Sequence, residues 1–216
     1  SRHSEGGEFS PFSEGGQAGA HGTGEGGGFE VEEGYVEWVS LPGGIGLKFG
    51  RFFQQFGQLN RWHAHALPFQ TRSLPHIAFM GEGSLAQTGL SAHWLAPFSL
   101  AGGTFEATLE VTRSDNETLF GESVGVSLLS HVNAFWSLSA STDLDLGFSR
   151  VSGSYERETV SGDRNLYGLE MAFTWRPPGQ SRYRGFSFRG GAMAVDGLAG
   201  LGPTSDDEGE HALGLW

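Results

Sequence analysis

Thr104-Phe105-Glu106-Ala107-Thr108-Leu109-Glu110-Val111-Thr112 sets Phe, Ala, Leu and Val at every second position, with Thr or Glu between them. Successive side chains of a strand point to opposite faces, so this run presents one apolar face and one polar face. A helix would spread both classes around its circumference. The same period returns in Tyr167, Leu169, Met171, Phe173 and Trp175, set against Gly168, Glu170, Ala172, Thr174 and Arg176. It returns again in Leu144, Leu146 and Phe148, set against Asp143, Asp145 and Ser149.

Working outward, eight such runs stand near 31–41, 45–53, 85–95, 104–113, 123–136, 142–150, 165–176 and 185–196. No segment carries a comparable helical period. The connections alternate in length: Pro42-Gly43-Gly44, Pro97 with Gly102-Gly103, Ser139 to Ser141 and Pro177-Pro178-Gly179 mark short ones. Segments 54–84, 114–122, 151–164 and 197 onward are longer or more polar. Short turns at one end and longer loops at the other predict an all-β, antiparallel up-and-down meander of about eight strands, part of a transmembrane β-barrel, open or partly closed. An open, curved sheet is the favoured form.

The chain divides accordingly. Residues 1–30, rich in Gly and Glu, are expected to form a disordered leader or loop. Residues 31–196 are expected to form the wall, with the long loop 54–84, and 197–216 an acidic loop and the start of a truncated strand. With no initiator Met and no apolar leader, the chain reads as an internal part of a longer barrel.

Composition agrees. Glycine supplies 36 of 216 residues, a density that disfavours helices and suits turns and bends in strands. There is no cysteine, which removes disulfides, thiol nucleophiles and cysteine metal sites. A formal net charge of −12 argues against nucleic acid as a partner. No stretch approaches the roughly 18 apolar residues of a membrane-spanning helix. Barrel strands need only about ten residues each, so a barrel passes that filter.

Four tryptophans sharpen the reading. Trp38, Trp94, Trp136 and Trp175 each end an odd-numbered run beside a short connection, and parity puts all four on the apolar face. Indole rings gather where hydrocarbon meets headgroups, which predicts a membrane-interface aromatic belt. The competing reading is a soluble barrel of lipocalin type, whose apolar face points inward. The opposite face carries Glu37, Lys48, His93, Glu106, Glu110, Asp143, Asp145, Glu170, Arg176 and Arg189, the expected lining of a water-filled lumen.

Glu32-Glu33-Gly34-Tyr35-Val36-Glu37 and Leu41-Pro42-Gly43-Gly44-Ile45-Gly46-Leu47-Lys48-Phe49-Gly50-Arg51-Phe52 resemble a family of Gram-negative outer-membrane barrels. The likeness continues through Phe56-Gly57-Gln58-Leu59-Asn60-Arg61-Trp62-His63-Ala64-His65-Ala66-Leu67-Pro68. Members are described as porin-like proteins related to phosphate-selective porins, or as zinc-regulated TonB-dependent outer-membrane receptors. The resemblance spans roughly 30–196, is strongest over 31–95, and implies the cell outer membrane.

The expected function is passive diffusion of small hydrophilic solutes or ions through a porin-like channel. The alternatives are a TonB-dependent receptor for a metal or other nutrient, and a soluble β-barrel ligand binder. Outer-membrane lipid, small hydrophilic solutes and further copies of the chain are the expected partners. Loop 54–84 far exceeds the usual connection of about 4–6 residues and is expected to fold inward as a constriction or to form part of the mouth. No resident cofactor is expected; the residues admit one exception, a zinc ion on His63, His65 and His76, imidazole being a good zinc ligand. Catalysis is not expected. Asp143 and Asp145 share a strand face with His131 nearby in sequence, but Gly-x-Ser-x-Gly, His-Glu-x-x-His and Walker motifs are absent. On the lumen face Lys48, Arg176 and Arg189 stand against six acids, a balance that leans to cations.

Overall fold

The alternating segments pair in sequence order. In the computed structural model, which describes residues 32–62, 67, 71–158, 160–179, 183–198 and 210–215, they form one antiparallel sheet of nine strands. These are β1 (Gly34–Leu41), β2 (Ile45–Phe53), β3 (Ala86–Leu95), β4 (Gly103–Arg113), β5 (Val126–Ser139), β6 (Thr142–Arg157), β7 (Val160–Trp175), β8 (Phe186–Leu198) and β9 (Glu210–Leu215). Each strand is hydrogen-bonded to its sequence neighbours, with β1 and β9 at the edges and no closure between them. The all-β meander is therefore as the alternation predicts, with one strand more than the eight expected. The expected leader, residues 1–30, lies outside the described residues, as do His63 and His65.

Turn chemistry sets the register at the first hairpin. Gly43 and Gly44 have φ of +86° and +78°, a region that costs most L-residues about 1 kcal/mol or more. Leu95 then donates its backbone N–H to Gly44 O at 2.8 Å, locking β3 beside the turn.

Two expectations are corrected. Residues 151–164 are not a long loop: β6 and β7 continue as a hairpin to Arg157↔Val160. Among the described residues there are also two short helices, α1 (Leu74–Met80) and α2 (Glu117–Phe120). Pro75 lies in the first turn of α1, where its missing N–H is harmless. Asn116 caps α2 by accepting from Leu119 N at 2.8 Å. No described helix is long and apolar enough to cross a membrane.

Both helices, with the segment Gln54–Trp62, sit against the inward face of the sheet. There Phe56, Met80, Leu85, Leu119 and Phe120 meet Leu129, Val151, Leu166, Met193 and Val195 in one apolar cluster. Asn116 joins the two inward connections, its side-chain amide donating to Met80 O and Ser84 O at 2.8 and 3.0 Å.

Beyond that apolar cluster the inward face is polar, and the outward face is apolar and exposed. On the outward face Leu109 is 50% exposed, Val132 49% and Leu169 58%, whereas inward Glu110 is 3% exposed and Gln87 0%. Trp38, Trp94 and Trp175 are exposed on the outward side, and Trp136 stacks edge-on against Phe105 there. Trp94 Nε1 donates to Gly43 O at 3.0 Å, which satisfies its polar edge.

Candidate functional site

The inward face of β3–β7 is built from the polar half of the alternation. Register aligns Gln87, Thr112 and Ser127 near one end, and Ser91, Glu110, Thr108 and His131 further along. Thr112 Oγ1 donates to Gln87 Oε1 at 2.7 Å and receives Gln54 Nε2 at 3.1 Å, while Ser127 Oγ donates to Gln87 Oε1 at 3.1 Å. Polar groups buried this far require partners; these bonds supply most of them, while Gln54 Oε1 and Gln87 Nε2 are left without one among the described residues.

The segment after β2 is held to this wall by its own backbone. Gln55 N donates to Glu110 Oε2 at 3.2 Å, Gly57 N to Ser149 Oγ at 3.0 Å, and Gln58 N to Glu170 Oε2 at 2.8 Å. Ser91 Oγ donates to the other oxygen of Glu110 at 3.0 Å, and His131 Nδ1 lies 2.8 Å from Ser149 Oγ. Between these anchors Phe56 presses onto Gly168, where a Cβ would stand 2.8 Å from the ring. Gly168 is the position that lets the segment approach. Within loop 54–84, Gln54–Trp62 thus lies against the polar face of the sheet.

Beside the segment lies a cavity of about 260 Å³ whose lining includes Glu37, Lys48, His93, Glu106 and Glu110. Five of the ten expected lining residues are thereby brought together. Arg61, from the inward segment, also borders it. Lys48 Nζ stands 4.4 Å from the Tyr35 ring centroid and 5.6 Å from that of Phe52.

The other expected residues fall elsewhere. Asp143, Asp145, Glu170 and Arg189 take inward positions on β6–β8, but none of them borders this cavity. Arg176 follows the last residue of β7, exposed, its backbone N donating to Ser141 O at 2.7 Å. It marks the strand end rather than the wall. His131 is not joined to the acid pair: Asp145 pairs with Phe135 and Asp143 with Ser137, four and six residues along β5.

His76 is buried in α1 with Nδ1 2.6 Å from Ser73 Oγ. Burial first, and the positive charge of Arg72 second, push its pKa down from the usual 6.5 to about 4, so it is neutral at pH 7. Among the described residues no group of three or more His, Asp or Glu is placed to hold a metal ion. Two of the three histidines named for zinc, His63 and His65, lie outside that set.

Sequence reasoning put Thr112 and Ser149 on the polar face without naming them as lining, and passed over Gln54, Gln87 and Ser127; all five are buried. The signal was present, since all but Gln54 share the parity of the charged residues that were singled out. It missed Arg164 as well, which is 4% exposed, donates to Leu119 O at 2.9 Å and lies 3.6 Å over the Tyr155 ring. This arginine ties α2 to β7. The chain matches no protein-family model, no curated protein and no solved structure.

Proposed function

We propose that this chain forms part of the wall of an outer-membrane, porin-like channel for passive diffusion of small hydrophilic solutes or ions, narrowed by the inward segment Gln54–Trp62. The observation that carries the reading is the polarity of the two faces: apolar side chains outward and exposed, charged and amide side chains inward. In water, apolar patches of more than a few hundred Å² mark a surface meant to be covered. A band running across successive strands is covered most simply by lipid. The porin-like resemblance of residues 31–95 points the same way.

The belt supports it quantitatively. Trp38 pairs with Leu47, whereas Trp94 pairs with Ile45, two residues nearer the turn. The next step is four residues, from Ala107 opposite Trp94 to Gly103 opposite Trp136, and the last is two, from Leu144 to Thr142 opposite Trp175. If the four rings share one height, the stagger is eight residues over six strand spacings. At about 3.3 Å per residue and about 4.8 Å between strands, that is a tilt of roughly 40°, within the about 35–45° of transmembrane barrels. On β7 the outward band runs from Trp175 to Tyr167, with Leu169, Met171 and Phe173 between. It spans roughly 20 Å of height at that tilt, close to the apolar band of about 25 Å in such barrels. In hydrocarbon the edges β1 and β9 also need partner strands.

Reconstitution of the complete polypeptide into planar bilayers is the test. Stable single-channel steps are expected, with a reversal potential in a KCl gradient that favours K⁺ over Cl⁻. The sign follows from Glu37, Glu106, Asp143, Asp145 and Glu170 facing Lys48, Arg61 and Arg189; Glu110, buried and bonded to Ser91 and Gln55, is not counted. A silent bilayer together with tight ligand binding would favour the TonB-dependent receptor instead.

A further inference from the structure

The cavity between β1–β4 and the inward segment holds charges of both signs that form no salt bridge with one another among the described residues. Lys48 faces Glu37 across the β1–β2 pair, yet neither forms a salt bridge with another described residue. The Lys48 ammonium sits over aromatic rings instead. Arg61 spends one N–H on Gln55 Oε1 at 3.3 Å and likewise forms no salt bridge among the described residues. Glu106 also has no ionic partner there. Glu110 differs, its two oxygens being engaged by Ser91 and Gln55.

Two cations, Lys48 and Arg61, and three carboxylates, Glu37, Glu106 and the hydrogen-bonded Glu110, border one space of about 260 Å³. A lone cation held there by Glu37 and Glu106 would be repelled by Lys48 and Arg61; an anion would meet the converse. A neutral solute gains nothing from either pair. A molecule that carries both charges satisfies both pairs at once, through charge-assisted hydrogen bonds.

We propose that this chamber is a binding site for small zwitterionic solutes of the amino-acid or dipeptide class, with Lys48 and Arg61 receiving the carboxylate and Glu37 and Glu106 the ammonium. The inference rests on the channel reading for its access route. It predicts a saturable site on the path rather than an unselective hole.

The probe is alanyl-alanine, compared with the uncharged N-acetylalaninamide. In planar bilayers the dipeptide is expected to reduce the single-channel current saturably, at a concentration at least about tenfold lower than the neutral compound. A factor of ten corresponds to a binding difference of about 1.4 kcal/mol. The preference should vanish in Lys48→Gln/Arg61→Gln and in Glu37→Gln/Glu106→Gln, and persist in Lys48→Arg/Arg61→Lys, which keeps the charges and controls for folding. Equal effects of the two compounds, or a preference that survives both neutralising pairs, overturn the proposal while leaving the channel intact. If no channel forms, the channel reading fails, and equilibrium dialysis of labelled alanyl-alanine against detergent-folded protein still decides the site. Binding lost in both neutralised variants supports it there, and absence of binding to the unaltered protein overturns it.

Discussion

Phe56 is 1% exposed and rests on a glycine, so its contact can be tested from both sides. Phe56→Ala is expected to cost about 3–5 kcal/mol, the usual range for a buried aromatic. Gly168→Ala should cost about 1–3 kcal/mol by overpacking, because its new Cβ meets the ring. In the Phe56→Ala background that second cost should disappear, a coupling read from urea midpoints in detergent micelles. Additive losses would mean that the two residues do not touch. His76 offers a second handle at this scale. Unfolded, it gains a proton near pH 6.5, whereas in the fold it does so only near pH 4. Its contribution is therefore whole above pH 6.5 and is lost as pH falls toward 4, by roughly 3 kcal/mol at about 1.4 kcal/mol per pH unit. Replacement by Gln, which gains no proton, should flatten the fall in stability between pH 7 and pH 4; parallel profiles would contradict the account.

The strands were the most legible elements, because β4 and β7 carry their period without interruption and one pattern sets both face and register. The β6–β7 hairpin beyond Val151 was not, for a physical reason. Ser152, Ser154 and Glu156 occupy its outward positions while Val151 and Tyr155 are buried on the inward side, so the apolar parity reverses along β6 and the run looks broken in sequence. The short helices were hidden differently: α1 and α2 have 7 and 4 residues, too few for a helical period to show. The candidate site was half legible, since strand parity finds the wall charges, while Gln55, Gly57 and Gln58 act through backbone N–H groups that no residue type announces. At this scale the prediction concerns the outward face of β4. Leu109→Arg should destabilise the protein in lipid vesicles by about 2–4 kcal/mol if that position meets the bilayer midplane. If it meets water, the change should stay within about 0.5 kcal/mol. Urea titration of the vesicle-folded protein separates the two.

Across the whole molecule, one sheet has two unlike faces. One is covered by the inward segment, two short helices and a polar network, and the other exposes apolar side chains ended by indoles. The channel reading, the tilt taken from the tryptophans and the zwitterion site all depend on lipid covering that exposed apolar face. The chain has no cysteine, so a single introduced one is unique, and a spin label can be walked along β4 from Glu106 to Val111 in protein folded into vesicles. High oxygen contact and little contact with a water-soluble nickel chelate are expected at 107, 109 and 111, with oxygen contact falling at 106, 108 and 110. Nickel access at 107, 109 and 111 equal to that at the exposed turn residue Ala140, without the oxygen alternation, would contradict the account.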